Sequence, residues 1–204
     1  MVAARERARP AGQSAGGFAQ RAGGDLIGFR QCPTIYPFLW EGAAQPEGRW
    51  NRHGEGPIHY FADTPDGAWA EFLRQEEIRD PDDLAGVTRA IWAIELGELP
   101  TAVPRLDAAT LTGDRSTYPA CQREAQALRS SGANGFVAPS AAIVNGGARG
   151  LHVDGGLQEG RLRDGQVIVH FGPRPDLSGW RAAIGRPDSS LLARVRHFKS
   201  VRGI

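Results

Sequence analysis

The sequence predicts an α+β fold with mixed, largely antiparallel sheets and flanking helices. Strand-like segments outnumber helical ones, and the two kinds do not alternate in the regular β-α order of a doubly wound fold. The 27 glycines and 14 prolines among 204 residues add many turns without reaching low-complexity composition. Hydrophobic residues at 41% and charged residues at 23% are ordinary globular usage, which excludes a wholly disordered or fibrous chain. The length suits one domain, placed at residues 25–204, with residues 1–24 expected to form a disordered N-terminal tail.

The elements follow in order. Leu26, Ile27 and Phe29 form an apolar run ending at Arg30, and residues 31–51 mix aromatic and turn residues without either period, which predicts an ordered loop. Residues 57–62 alternate as a strand, with Ile58, Tyr60 and Ala62 on one face and His59 and Phe61 on the other. Thr64 followed by Pro65 is a helix start, and the helix is expected to run to about Ile78 with Ala68, Trp69, Phe72 and Leu73 at helical spacing. Glu71 falls between these apolar positions in angle, away from the polar face. A strand over 88–96, a helix over 118–130 stopped by Gly132, and strands over 135–138, 166–171 and 191–198 complete the reading.

Charge and composition narrow the function. With 24 Lys plus Arg against 23 Asp plus Glu, the net charge of +1 gives no bulk attraction for nucleic acid or an anionic membrane. Lys199 is the one lysine, so Schiff-base chemistry has no candidate in the body of the chain. Cys32 and Cys121 are too few for a disulfide scaffold or a four-cysteine metal site, which points to a reducing, cytoplasmic setting. Residues 1–24 lack the apolar run of a secretory signal, and the longest uncharged stretch, 130–148, is too rich in glycine and polar residues to span a membrane. The five histidines show no ligand spacing, no Gly-x-Ser-x-Gly elbow occurs, and residues 146–150 read as a plain turn because a phosphate loop's Lys-Ser/Thr is missing. No metal site is expected.

One constellation remains. Arg49 in Gly48-Arg49-Trp50-Asn51, Tyr60 on the next strand and Glu71 on the following helix bring a cation, an aromatic hydroxyl and a carboxylate from three consecutive elements. Elements adjacent in sequence tend to be adjacent in space, so the three are placed to meet in one cleft. Residue types alone equally suit a surface arginine, a core tyrosine and a solvated glutamate.

The run Gly48-Arg49-Trp50-Asn51, Gly56-Pro57-Ile58-His59-Tyr60-Phe61-Ala62, Pro65 and Ala68-Trp69-Ala70-Glu71 resembles the signature of the RES domain family. Gly135-Phe136-Val137-Ala138-Pro139-Ser140 resembles that family's Pro-Ser element, and the likeness extends over about Phe29 to Phe171. The chain departs from the pattern at Glu47, where a second glycine often stands, and in the aromatic and proline content of residues 32–47.

The resemblance implies an ADP-ribosyltransferase-like fold and an enzyme that cleaves the nicotinamide–ribose bond of NAD+ by hydrolysis or phosphorolysis, with NAD+ as substrate and no cofactor. It implies Glu71, Arg49 and Ser140 as catalytic residues, and Arg49, Tyr60, Ser140 and Arg30 as substrate-binding ones. It leaves room for a toxin role with a protein antitoxin, for homo-oligomers, for ADP-ribosyl transfer to a macromolecule, and for a non-catalytic interaction domain of the same fold.

Overall fold

The structure is a computed structural model and describes residues 26–39, 41 and 45–199; the expected tail at 1–24 lies outside the described residues. Its eight strands and three α-helices follow chain order: β1 (Ile27–Pro33), β2 (Ile58–Ala62), α1 (Pro65–Gln75), β3 (Arg89–Glu95), α2 (Ala108–Thr112), α3 (Tyr118–Ser130), β4 (Gly135–Pro139), β5 (Leu151–Val153), β6 (Leu157–Glu159), β7 (Gln166–Phe171) and β8 (Ser178–Gly185). Six strands form one antiparallel sheet in the order β4-β7-β2-β1-β3-β8, and β5 with β6 forms a separate hairpin. The expected α+β class with flanking helices is the architecture found.

Both faces of the sheet are covered. On one, α1 packs Ala68, Trp69, Phe72 and Leu73 with Ile91 and Ala62, while α3 packs Cys121 and Ala125 with Trp50, Phe136 and Val169. On the other, Phe61, Ile94 and Ile168 meet Phe38, Leu39 and Trp92. The alternation along β2 therefore divides as its sequence implies, with Ile58 and Ala62 on the helix side and Phe61 behind.

The register holds the feature that matters for function. β1 pairs with β3 along its whole length, from Ile27↔Glu95 to Pro33↔Arg89, yet it pairs with β2 at Phe29↔Ala62 alone. Beyond that point residues 30–33 and 58–61 splay apart, and the sheet opens.

Helix ends obey local rules. The Gly67 amide donates to the Thr64 hydroxyl at 3.0 Å, and Pro65 opens α1. The helix stops at Gln75 rather than near Ile78, because Glu77 adopts a φ of 55° and the Ile78 and Glu77 amides return to the carbonyls of Leu73 and Arg74. That is a left-handed helix stop made without glycine. Gly132, at φ 85°, ends the second predicted helix where expected.

Three expectations need correction. Residues 191–198 are not a strand: Asp188 caps a 3₁₀ turn over Ser189–Arg194, accepting from the Ser190 amide at 2.8 Å, and the alternating apolar residues Leu191 and Val195 pack around it against α1. The predicted loop at residues 31–51 begins three residues too early, because Gln31 to Pro33 continue β1 against β3. Strand β8 and the β5–β6 hairpin were not expected, since their side chains are mostly exposed and they lack the alternation that burial imposes.

Gly135 sits where β4 crosses closest to β7; a Cβ there would stand 2.1 Å from the Val169 carbonyl oxygen. Gly135→Ala is expected to destabilise the protein by on the order of 3 kcal/mol, since backbone must shift to admit the methyl group. Urea denaturation of the two proteins measures it.

Candidate active site

The splayed strands open into a cleft of about 630 Å³. Phe29 to Pro33 of β1 line one side, Tyr60 to Ala62 of β2 the other, and Glu71, Arg74 and Gln75 of α1, Gly48 to Trp50 and Tyr118 complete the wall. Of the five residues singled out from the sequence, Arg30, Arg49, Tyr60 and Glu71 line this cleft; Ser140 stands behind it, between Pro139 and Ala141, which do.

The Gly48–Asn51 turn is tightly built. The Gly48 amide donates to the Asn51 carbonyl at 3.0 Å, and Trp50 is buried edge-on against Phe136, with ring centroids 4.7 Å apart. The Tyr60 hydroxyl donates to Asn51 Oδ1 at 2.7 Å and accepts from the Trp50 amide at 3.2 Å, which couples the turn to β2. Position 48 requires glycine because a Cβ would lie 2.8 Å from Asn51 Oδ1 and 3.1 Å from the Tyr60 hydroxyl. Burial raises the Tyr60 pKa well above its ordinary value, so the phenol stays protonated and keeps this hydrogen bond.

The two arginines differ in how they are engaged. Arg49 Nη2 donates to the Gly113 carbonyl at 2.6 Å, Nη1 to the Thr117 hydroxyl at 3.0 Å and the Thr110 carbonyl at 3.3 Å, and the guanidinium lies over the Tyr118 ring at 4.8 Å. Arg30 reaches the cleft from β1, and its Nη1 is buried with no hydrogen-bond partner. Desolvation disfavours its charge, while Cys32 and Tyr60 oppose that effect. A buried guanidinium donor without a partner is costly to hold in the fold.

Glu71 lines the cleft from α1. Its Oε1 accepts from the Ser140 hydroxyl at 3.2 Å, and that hydroxyl in turn accepts from the Ala142 amide at 3.1 Å and the Ile143 amide at 3.4 Å. Burial pushes the Glu71 pKa up, against the pull of Arg74, Arg49, the Ser140 hydrogen bond and Arg196. A carboxylate short of water and set among cations can oppose a positive charge that develops in front of it.

Sequence reasoning missed Arg74, Gln122 and Tyr118. Arg74, 1% exposed, donates to the carbonyls of Ala141, of Arg196 at 2.6 Å and of Gly113 at 2.7 Å. Its position three residues after Glu71 on a buried helical stripe was the available signal. Gln122, beside Cys121 on the apolar stripe of α3, was visible in the same way. Among the described residues no group of three or more His, Cys, Asp or Glu side chains is arranged to hold a metal ion, and no helix is long and apolar enough to cross a membrane.

The raised Glu71 pKa fixes the sign of a pH effect. The fold binds this proton more tightly than the unfolded chain does, so the stability it contributes is complete below the ordinary glutamate pKa and is lost as pH rises through the folded value. Glu71→Gln is therefore expected to be more stable than wild type at neutral pH, with the difference vanishing below about pH 4. Chemical denaturation at several pH values tests both halves.

A chain from the crystal structure of the M. tuberculosis MbcT–MbcA toxin–antitoxin complex has a similar fold: the TM-score is 0.54 at 19% identity, covering 83% of this chain and 87% of that one. At that identity the likeness is one of fold alone. A search of curated proteins finds no match. The family model of the RES domain matches residues 28–152, a span that begins on β1, takes in the Gly48–Asn51 turn, Tyr60 and Glu71, and runs past Ser140. The chain thus belongs to the RES domain family.

Proposed function

We propose that this protein cleaves the bond between nicotinamide and ribose in NAD+, and that it acts as the toxin of a toxin–antitoxin pair. The observation that carries the catalytic reading is Glu71: a half-buried carboxylate, hydrogen-bonded by Ser140, in a cleft that Arg30 and Arg49 also line. The toxin reading is supported by family membership and by the fold shared with the MbcT–MbcA complex.

The chemistry suits this set of groups. As the C1′–N1 bond breaks, its electron pair goes to nicotinamide, which leaves as a neutral molecule, and positive charge develops on the ribose. Little acid catalysis is needed. Glu71 stabilises the positive centre, Arg30 pairs with the pyrophosphate, and Arg49 adds positive potential while bracing the turn. The Tyr60 ring forms the cleft wall for the nicotinamide, its hydroxyl already held by Asn51. Ser140 acts on the substrate through Glu71. Water or phosphate then attacks C1′ and gives up a proton, yielding ADP-ribose or its phosphorylated counterpart.

Purified protein is expected to release nicotinamide from NAD+, and comparing the rate and product with and without phosphate identifies the acceptor. Accumulation of ADP-ribose on a protein or nucleic acid, with none free, would replace this reading with macromolecular transfer. Glu71→Gln should cut turnover by about a hundredfold or more, the scale of losing one preorganised electrostatic stabiliser. In wild type the rate should fall on the acid side with a midpoint above the ordinary glutamate value, because the ionised carboxylate is the active form.

Arg30→Lys keeps the charge and loses the planar fork, so it should raise KM more than it lowers kcat. Normal KM with reduced kcat would instead put Arg30 on the transition state.

A further inference from the structure

The Gly48–Asn51 turn supplies Arg49 to the cleft and holds the Tyr60 hydroxyl, yet among the described residues it lies outside every strand and helix. What holds it comes from a helix more than 70 residues later. Gln122 on α3, 3% exposed, directs its side-chain amide at the turn: Nε2 donates to the Gly48 carbonyl at 3.0 Å, faces the Asn51 carbonyl at 3.4 Å, and donates to Glu47 Oε1 at 2.8 Å. These two carbonyls are the two ends of the turn. Asn51 also donates from Nδ2 to the Pro46 carbonyl at 3.0 Å, so the grip extends to the incoming chain.

We propose that Gln122 is a positioning residue for NAD+ cleavage, its amide fixing the Gly48–Asn51 turn and through it Arg49 and Tyr60. This rests on the reaction proposed above. The segment that enters α3 holds the turn from its other side, since Gly113 and Thr117 accept the Arg49 guanidinium. Backbone and side chain of the turn are thus referenced to one rigid platform. Glu47, which departs from the family pattern, finds its place here as an acceptor of the same amide. A buried amide with its acceptors already on the protein has no donor left for substrate, which separates its role from a catalytic one.

Two variants test this. Gln122→Met keeps the volume and removes the donor; Gln122→Glu sets a carboxylate against Glu47 and two carbonyl oxygens. In Gln122→Met, the amides of Gly48 and Trp50, bonded to Asn51 and to the Tyr60 hydroxyl, should exchange with solvent at least about tenfold faster, with exchange in β3 and β7 unchanged. KM for NAD+ should rise about tenfold with a smaller fall in kcat.

In Gln122→Glu, activity relative to wild type should recover as pH falls and protonation restores a donor, a response that a purely structural loss would not give. Unchanged exchange at Gly48 and Trp50, or faster exchange with wild-type KM and kcat, overturns the proposal. A wild-type protein that releases no nicotinamide overturns the NAD+ reading instead, and the exchange rates then decide by themselves whether Gln122 holds the turn.

Discussion

The buried guanidinium of Arg74 ties four stretches of chain together. It leaves α1, donates to Ala141 after β4, to Gly113 before α3 and to Arg196 near the C-terminal end, and rests on the Phe198 ring at 4.3 Å. None of these segments pairs with another in the main sheet. Arg74 satisfies a carbonyl oxygen in each of three of them, alongside the backbone bonds that join Ala142 and Val144 to Arg196 and Arg194. Removing such a group costs more than the bonds it makes, because several acceptors are then stranded at once.

The same clamp shapes the electrostatics of the cleft. Gly113 receives both Arg74 and Arg49, so two guanidinium groups are brought onto one carbonyl oxygen, and burial and then Arg49 disfavour the charge on Arg74. Glu71 and Asp114 are the nearby anions. Desolvation resists the ionisation of Glu71 and the arginines favour it, with burial dominant. The outcome is a carboxylate held among cations beside the opened sheet.

The opened sheet is itself a matter of register. A continuous β1–β2 ladder would close the cleft, and its absence beyond Phe29↔Ala62 leaves Arg30 beside a gap instead of under a neighbouring strand. β1 tolerates this because β3 pairs with it along its full length, so one satisfied edge carries the strand while the other lines the cleft.

The sequence by itself determined the elements whose signals are local. Thr64-Pro65 starts α1, Gly132 stops α3, and alternation marks β2 and β3, because capping and periodic burial are written within a dozen residues. It also brought forward Arg49, Tyr60 and Glu71, since they lie on three consecutive elements, and family likeness added Arg30 and Ser140.

Only tertiary structure decided what each of these touches. That Arg49 is engaged and Arg30 is not depends on Gly113 and Thr117, more than 60 positions from Arg49. That Ser140 serves Glu71 depends on how the chain turns after β4, and the grip of Gln122 on the turn joins residues 74 positions apart. Strand β8 forms because β3 offers it a backbone edge, while its own mostly exposed side chains carry no period. Such contacts follow from the packing of distant segments, and no local propensity encodes them.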